Sequence, residues 1–404
     1  MSRQHADLVI IGNGMAAARL VHELARLPGR PAQIMMIGGE PRPAYNRVLL
    51  SSLLAGEVDA DALPMHDKSW YRDNGIEVRC HDPVAQLDPS PRCLRTSRGL
   101  QVSYDQLVLA TGARATLPDV PGIALDGVMG FRTLEDVAIM QDAAARGGHA
   151  VVVGGGLLGL EAAEGLRKQG MHVTVIHRSA HLLNRQLDAG AATLLRRTLC
   201  ERGLVVHTGR QVRAIEGDTR CNAVVLDDDT QLPVDLVIFA TGVTPEMSLA
   251  REAGLHCDRA VCVDSQLRTN DEHIFALGEC CQFEQHTYGL VAPIWHQARV
   301  LAQVLTGVDA HYSEQPVATQ LKVSGISLFS CGDVAPPDCD ALTYQDPDAG
   351  DYRTLWLRDG QLSGAVLYGD TRHGNWYFEQ LLKGTPLATH RAQLLFGPDA
   401  LAGA

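Results

Sequence analysis

Residues 151–161 read Val-Val-Val-Gly-Gly-Gly-Leu-Leu-Gly-Leu-Glu, and they decide how the rest of the chain is interpreted. Three β-branched residues run into a Gly-x-Gly-x-x-Gly pattern, and an amphipathic segment follows. This order predicts a strand, a tight turn and a helix N-terminus, where glycine backbone and free N–H groups can receive a dinucleotide pyrophosphate. The candidate binding residues of this turn are Gly154, Gly156, Leu157, Leu158 and Gly159.

A related pattern lies near the N-terminus, where an apolar run from Leu8 to Ile11 enters Gly-x-Gly-x-x-Ala. A second apolar segment ends close to Glu40, 28 residues after Gly12. This is roughly where a Rossmann unit has the acid that hydrogen bonds an adenosine ribose. The alternative for Glu40 is an exposed loop glutamate. The candidate residues of this second site are Gly12, Gly14, Met15, Ala16, Ala17 and Glu40.

The overall composition is that of a globular protein of two or three domains, with 404 residues, 46% hydrophobic and 20% charged. A net charge of −12 argues against a general affinity for nucleic acid or anionic membranes. Ten cysteines without a CxxC pair indicate a reducing compartment. The N-terminal apolar run is too short for a signal peptide, and no segment approaches a membrane span. These features predict a cytoplasmic protein.

Two further turns repeat a single tripeptide, Ala-Thr-Gly, each at the end of an apolar strand. The first is Ala110-Thr111-Gly112 and the second ends at Gly242, so each dinucleotide unit carries one copy. Between them, a strand over residues 172–177 ends at His177-Arg178, the position of the ribose-binding acid in the second unit. An acid there would favour NADH, whereas Arg178 could pair with the 2′-phosphate of NADPH.

In the C-terminal half, a predicted strand ends at Gly278, and the carboxylate residue Glu279 follows it directly. A helix with Pro293 near its first position follows. Beyond about residue 312, short strands and a helix over 376–382 indicate an α+β domain. The predicted fold class is α/β: two Rossmann-like domains, one inserted in the other, and a C-terminal α+β domain. The predicted boundaries are 1–115 with 245–311, then 116–244, then 312–404.

These ordered motifs resemble the pyridine nucleotide oxidoreductases that bind two dinucleotides. The resemblance implies FAD in the first domain and NAD(P)H, with NADH favoured and NADPH left open, in the inserted one. It implies that the helix near Pro293 points its positive end at the flavin pyrimidine and that Glu279, more often Asp in the family, meets the ribityl hydroxyls. Arg47, Val84 and Arg132 are further flavin candidates; for the arginines the alternative is a surface position.

Two side chains are candidates for direct roles in catalysis. Glu161 could approach the nicotinamide carboxamide, or it could simply be a helix-capping acid. Trp295 could lie at the flavin edge, or it could pack in the core. His177 and His181 have no carboxylate nearby and make a poor metal site, so no metal is expected.

The absence of any cysteine before Cys80 excludes the thiol mechanisms of disulfide reductases and of related peroxidases. Ser52 stands where ferredoxin- and rubredoxin-reductase relatives have a lysine. The match is nearer to the FAD-binding part of NAD(P)H nitrite reductase large subunits and of nitrate reductase electron-transfer subunits. The matching segments are residues 45–52, 184–188, 278–280, 288–293 and 320–333.

The leading hypothesis is an FAD-dependent NAD(P)H oxidoreductase that passes electrons to a separate iron–sulfur or haem protein in nitrite or nitrate assimilation. The acceptor is expected on another polypeptide, because no iron–sulfur or sirohaem cysteine cluster follows by residue 404. A rubredoxin or ferredoxin reductase is the first alternative, and an NADH-responsive flavin-binding signalling protein is the second. Neither nucleic acid nor membrane is an expected partner, and a homodimer stays open.

Overall fold

The computed structural model describes residues 3–323, 325–346, 348–384, 386–387 and 391–398. No helix within these ranges is both long and apolar enough to cross a membrane. Contacts divide the chain into two compact units. Unit 1 comprises Met1–Leu49, Asp59–Arg114 and Val243–Gln315, and unit 2 comprises Leu50–Val58, Ala115–Gly242 and Pro316–Ala404.

The strands are numbered in chain order. Those of the first half are β1 Arg3–Ile11, β2 Ile34–Ile37, β3 Ile76–Arg79, β4 Val84–Asp88, β5 Cys93–Thr96, β6 Gln101–Leu109, β7 Ala113–Ala115, β8 Val128–Gly130, β9 His149–Val153, β10 His172–His177 and β11 Val205–Thr208. Those of the second half are β12 Val212–Gly217, β13 Cys221–Leu226, β14 Gln231–Pro233, β15 Leu236–Phe239, β16 Val243–Pro245, β17 Val261–Val263, β18 Ile274–Ala276, β19 Cys281–Phe283, β20 His286–Thr287, β21 Thr319–Val323, β22 Ile326–Gly332, β23 Asp340–Asp346, β24 Asp351–Arg358 and β25 Gln361–Tyr368.

The helices lie between these strands. The α-helices are α1 Met15–Leu24, α2 Leu50–Leu54, α3 Lys68–Asp73, α4 Leu134–Arg146, α5 Leu157–Lys168, α6 Ala189–Glu201, α7 Ser248–Glu252, α8 Val291–Leu305, α9 Gly374–Lys383 and α10 Arg391–Leu394. Short 3-10 helices cover Arg47–Leu49, Ala60–Ala62 and Gly278–Cys280.

Unit 1 is built on a sheet in the order β3-β2-β1-β6-β5-β4, with β18 beside β6. Strand β1 is parallel to both β2 and β6, and β18 is parallel to β6. Their apolar residues form one buried core with helices α1 and α8. Because the carboxyl ends of parallel strands share one edge, Gly12, Ala110 and Leu277 are joined there through backbone hydrogen bonds to neighbouring strands.

Unit 2 contains a parallel sheet in the order β11-β10-β9-β15-β8 and a small antiparallel sheet of β12, β13 and β14. A second antiparallel sheet, β21-β22-β25-β24-β23, lies in its C-terminal part, where α9 packs on β25. Helix α2 also belongs to this unit and packs on α4 and α5. Strand β10 covers the residues predicted for it, whereas β23 was not predicted, because its side chains are polar and mostly exposed.

The side chain of Asp188 connects α6 to the C-terminal sheet of unit 2. One carboxylate oxygen caps α6 by accepting the Ala191 N–H at 3.4 Å, and the other accepts the Tyr352 hydroxyl at 2.5 Å. Burial and the hydrogen bond to Asp188 raise the pKa of Tyr352 to about 12. Gly190 leaves room for this ring, because a Cβ there would lie 2.4 Å from the tyrosine oxygen.

Replacing Tyr352 with phenylalanine should therefore lower the free energy of unfolding by about 1–2 kcal/mol, because a partly buried carboxylate loses its donor. The matched control is Tyr344→Phe on the neighbouring strand, since among the described residues the Tyr344 hydroxyl has no hydrogen-bond partner. Urea unfolding followed by circular dichroism measures both variants. Equal losses for the two would show that the Asp188 contact contributes nothing.

Candidate functional site

The first glycine of each predicted nucleotide-binding turn lies directly against the end of a neighbouring strand. Gly12 has φ +117°, and a Cβ added to it would lie 2.1 Å from the Ala110 carbonyl oxygen. Gly154 has φ +131°, and its Cβ would lie 2.3 Å from the Ala240 carbonyl oxygen. Only glycine can occupy either position. The same contact in both units explains why each unit pairs a glycine-rich turn with an Ala-Thr-Gly turn.

The second glycine of each turn has no packing reason to be glycine. Gly14 and Gly156 are the N-cap residues of α1 and α5, and a Cβ on either would meet no atom within 4 Å. Neither helix has a side-chain cap or an acidic residue in its first turn. The first N–H groups of both helices are therefore open to a ligand, and an anion would be stabilised there.

Helices α4 and α6 show the contrast within unit 2. Thr133 and Asp136 form a capping box at the start of α4, and the Asp188 side chain caps α6. The chain therefore satisfies the N-termini of these two structural helices with its own side chains, but not those of α1 and α5. Together with the space beside Gly14 and Gly156, the uncapped starts of α1 and α5 could receive an anionic group of a ligand.

The third position of each motif serves packing. A Cβ on Gly159 would lie 2.0 Å from the Gly154 carbonyl oxygen, so the start of α5 presses against its own turn. Ala17 is completely buried against the core of unit 1. Both residues set how closely helix and strand approach, while Met15, Ala16 and Leu157 stay half-buried and Leu158 is exposed.

Glu40 and Arg47, both predicted cofactor residues, are paired with each other in unit 1. The Glu40 carboxylate accepts the Tyr45 hydroxyl at 2.7 Å and also binds the Arg47 guanidinium. That guanidinium lies 5.0 Å from the centre of the Tyr45 ring, and the Arg47 N–H points to the Met15 sulfur. The positive charge of Arg47 therefore compensates the negative charge of Glu40 next to the turn that begins α1.

Asn13, which the sequence interpretation missed, organises the first turn. Its side-chain oxygen accepts the Ala44 N–H at 3.1 Å, and its amide donates to the Arg42 carbonyl at 3.1 Å. The same amide lies 3.6 Å from the Cys80 sulfur. An asparagine between two glycines was the available signal, because such a residue can bridge the turn to the following loop.

The Ala-Thr-Gly turn of unit 1 is fixed to the segment that begins at residue 243. The Thr111 hydroxyl donates to the Glu246 carbonyl at 2.7 Å, and the Glu246 N–H donates to the Gly112 carbonyl at 2.9 Å. Gly112 has φ +70° and the corresponding Gly242 of unit 2 has φ +118°. Both turns thus use the left-handed region that favours glycine.

Glu279 lies in a short 3-10 helix, half-buried, directly after β18. Gly278 has φ +87°, and its Cβ would lie 3.0 Å from that of Ala16, so this turn reaches the start of α1. The adjacent thiols of Cys280 and Cys281 are fully buried, and burial raises the pKa of both. Neither is a thiolate at neutral pH.

Helix α8 begins at an uncapped N-terminus with no acidic residue in its first turn. Pro293 lies within this first turn and is half-buried. Trp295 is also half-buried; its ring packs against the core of unit 1 and lies 5.5 Å from the Arg19 guanidinium. The positive end of α8 is therefore unneutralised by the chain itself.

Glu161 lies on α5 of unit 2, and α2 brings the buried Ser51 hydroxyl to its carboxyl group. Burial raises the pKa of Glu161, the Ser51 hydrogen bond opposes this rise, and Glu57 adds to it. Two side-chain amides hold α2 in place. That of Gln141 donates to the Leu53 carbonyl at 3.2 Å, and that of Gln169 donates to the Leu54 carbonyl at 3.1 Å. Sequence interpretation missed Ser51, because no local pattern connects it to Glu161.

His177 ends β10 and supports the middle of the second turn. Its Nδ1 accepts the Gly155 N–H at 3.0 Å, which places the proton of the neutral ring on Nε2. That Nε2 is buried and has no hydrogen-bond partner in the described part of the chain. Burial lowers the pKa of His177, so the ring is neutral at pH 7. Arg178 beside it is exposed.

The remaining predicted residues lie in two places. Val84 begins β4 in unit 1 and is half-buried. Arg132 lies in unit 2 just before α4, where its backbone N–H is held by the Asp136 carboxylate at 2.8 Å. The donors, open helix N-termini and glycine backbones in the two units fit one dinucleotide each.

Comparison with known proteins gives matches along nearly the whole chain. The family described as pyridine nucleotide-disulphide oxidoreductase matches residues 6–303, and the family described as rubredoxin NAD+ reductase C-terminal domain matches residues 316–385. NAD(P)H nitrite reductase of Bacillus subtilis (strain 168) is 38% identical over 93% of this chain and 47% of its own length. The assimilatory nitrate reductase electron transfer subunit of the same organism is 36% identical over 96% of this chain and 51% of its own length.

A solved structure supports the same relationship. The ferredoxin reductase for the CYP199A2 system from Rhodopseudomonas palustris superposes with a TM-score of 0.86 at 28% identity, covering 98% of this chain and 99% of that one. The predicted family resemblance and α/β fold class are confirmed by these matches. The chain spans about half the length of the two Bacillus relatives.

The open glycines allow the two sites to be separated by mutation. Gly156→Ala should weaken NAD+ binding by about tenfold or more, because its methyl group occupies the space through which a pyrophosphate approaches. Stability should fall by no more than about 1 kcal/mol, since φ −82° and ψ 179° are allowed for alanine and only the poorer N-cap preference of alanine counts against it. Calorimetric titration of the flavin-loaded protein with NAD+ measures the effect.

Gly14→Ala is the reciprocal control. It should weaken FAD binding to the apoprotein and leave the NAD+ dissociation constant of the residual loaded protein unchanged. If Gly156→Ala bound NAD+ like the parent, this turn would not hold the pyrophosphate.

Proposed function

Because the chain belongs to the pyridine nucleotide-disulphide oxidoreductase family, we propose that it is an FAD-dependent oxidoreductase that takes electrons from NADH and passes them to a separate redox protein. The observation that carries this proposal is the pair of uncapped, acid-free helix N-termini behind Gly14 and Gly156. Bound flavin accepts a hydride from reduced nicotinamide and can release its electrons one at a time.

In this proposal, residues 1–115 and 245–311 bind FAD. The turn from Gly12 to Ala17 and the N-terminus of α1 receive the pyrophosphate, and Glu40 meets the adenosine ribose. Glu279 meets the ribityl hydroxyls, and the open N-terminus of α8 near Pro293 favours negative charge on the flavin pyrimidine. The remaining contacts within these ranges are assigned to Arg47, Val84, Ala110, Thr111, Gly112 and Trp295.

Residues 116–244 bind the reduced nicotinamide nucleotide, and residues 312–404 form a third domain. The turn from Gly154 to Gly159 holds the pyrophosphate of this nucleotide at the N-terminus of α5. Glu161, oriented by Ser51, meets the carboxamide. A neutral His177 and the exposed Arg178 leave no carboxylate at the ribose position to repel a 2′-phosphate, so NADPH is an alternative donor to NADH.

Electrons leave the flavin without a protein thiol in between. Cys80 is the first cysteine of the sequence, and its sulfur lies 3.6 Å from the Asn13 amide of the first glycine turn. Burial raises the pKa of the Cys80 thiol, so it is a poor nucleophile at neutral pH. All ten cysteines are free thiols, which supports a reducing, cytoplasmic compartment.

The proposed acceptor is an iron–sulfur or haem protein of nitrite or nitrate assimilation, and the two Bacillus relatives support this choice. The second candidate is a rubredoxin or ferredoxin reductase. It is favoured by the C-terminal domain match over residues 316–385 and by the similar ferredoxin reductase structure.

Anaerobic stopped-flow mixing tests the donor half of the proposal. NADH should bleach the flavin absorbance in a single saturable phase, and NADPH should do so less efficiently. A flavin that neither nucleotide reduces would overturn the proposal.

Steady-state turnover with NADH and a panel of acceptors tests the other half. A nitrite or nitrate reductase component should be reduced with a higher kcat/KM than rubredoxin or a ferredoxin. The reverse order would move the assignment to the second candidate.

Cys80→Ser provides a direct test of the thiol-free route. The rate of flavin reduction by NADH should stay within about twofold of the parent, because no step uses this sulfur. Cys93→Ser, on β5 and paired with Ser103 of β6, is the matched control. A loss of turnover specific to Cys80→Ser would place a thiol in the electron path.

A further inference from the structure

Gln297 is a fully buried polar side chain that the proposed function does not yet use. It lies on α8, and none of its surface is exposed. Its Oε1 accepts the Gly278 N–H at 2.9 Å and lies 3.7 Å from the Cys281 sulfur, whose thiol can also donate to it. Nothing in the sequence around Trp295 pointed to this residue.

The hydrogen bond connects the two elements of unit 1 that are proposed to meet the flavin. Gln297 lies one turn beyond Pro293 on α8, and Gly278 begins the 3-10 helix that presents Glu279. Gly278 has φ +87° and approaches Ala16 at the start of α1. One side chain therefore holds the carboxylate-bearing turn at a fixed place relative to the N-termini of both helices.

None of the Gln297 side chain is exposed, so we expect it to act on a ligand through the Gly278 N–H and not by direct contact. The arrangement carries an energetic cost. The Gln297 Nε2 is buried and has no hydrogen-bond partner among the described residues, and such a donor lowers stability. A hydrocarbon side chain would remove this cost, but it would leave the Gly278 N–H without its acceptor.

We propose that Gln297 is a positioning residue for the flavin, which fixes the Gly278–Glu279 turn to α8 and thereby places the Glu279 carboxylate against the cofactor. The inference rests on the proposed function, because it takes FAD as the ligand of unit 1. If so, FAD affinity depends on the hydrogen bond from the Gly278 N–H to Gln297, in which no atom of FAD takes part.

Gln282 supplies a matched control in the same unit. It is a buried glutamine on β19, and its Oε1 likewise accepts backbone N–H groups, those of Arg259 at 3.0 Å and Ala260 at 3.3 Å. Its Nε2 donates to the Asp258 carboxylate and the Glu284 carbonyl. Loss of Gln282 thus disturbs a buried amide network of unit 1 without touching the Gly278 turn.

The experiment compares Gln297→Leu and Gln282→Leu. Each apoprotein is titrated with FAD, and quenching of flavin fluorescence gives the dissociation constant, while thermal unfolding of the apoprotein gives stability. Both variants should unfold at lower temperature than the parent. Only Gln297→Leu should weaken FAD binding, by about tenfold or more, and shift the flavin reduction potential.

A Gln297→Leu apoprotein that binds FAD within about twofold of the parent would overturn the inference, as would an equal loss in Gln282→Leu. Failure of the parent apoprotein to bind FAD would instead contradict the proposed function. The two failures are therefore distinguishable.

Gln297→Glu and Gln297→Asn keep the inference testable if the leucine variant does not fold. Glutamate retains an acceptor oxygen at the same reach and should restore FAD affinity to within about threefold of the parent. Asparagine keeps the amide but withdraws it by one methylene, so it should bind FAD as weakly as the leucine variant is expected to. Equal affinities for these two variants would contradict the positioning role.

Discussion

Each of the two nucleotide sites depends on a close contact between a glycine and the carbonyl oxygen at the end of a neighbouring strand. In unit 1 the pair is Gly12 and Ala110, and in unit 2 it is Gly154 and Ala240. A side chain at either glycine would push the strand ends apart and turn the following helix away from the sheet edge. The contact therefore sets the direction of α1 and α5 and the position of the second glycine that opens each N-terminus.

Side-chain capping also differs between the helices of the two parallel sheets. Helices α4 and α6 are capped by Thr133 and Asp188, whereas α1, α5 and α8 begin without side-chain caps or acidic residues. The starts of α1 and α5 also carry Gly14 and Gly156, where an added Cβ would meet no protein atom within 4 Å. The three uncapped starts leave partial positive charge available to pyrophosphates and to a reduced flavin.

The motifs that could be predicted from the sequence are those in which one residue type is forced by the backbone. Gly12, Gly154 and Gly278 belong to this class, and all three have positive φ in the structure. Contacts between distant segments could not be predicted, because no local pattern records them. The hydrogen bond from Ser51 to Glu161 and the support of Gly155 by His177 are of this kind.

Some predicted residues have contacts that sequence could not reveal. Glu40 and Arg47 are both predicted cofactor residues, and the structure pairs them with each other as well as with Tyr45. For Trp295 the sequence left the flavin edge and packing open, and the ring lies against the core beneath Arg19. No sequence motif pointed to Gln297. Its role depends on the hydrogen bond from the Gly278 N–H, and Gly278 lies 19 residues earlier in the chain.

The central claim is that electrons pass from nicotinamide to flavin and leave directly, with no protein thiol storing a further pair. Anaerobic titration of the flavin-loaded protein with NADH, followed by flavin absorbance, tests this claim by counting electrons. The account predicts complete bleaching at one equivalent of NADH per flavin, with no additional free thiols formed. Consumption of a second equivalent, accompanied by newly titratable thiols, would contradict it.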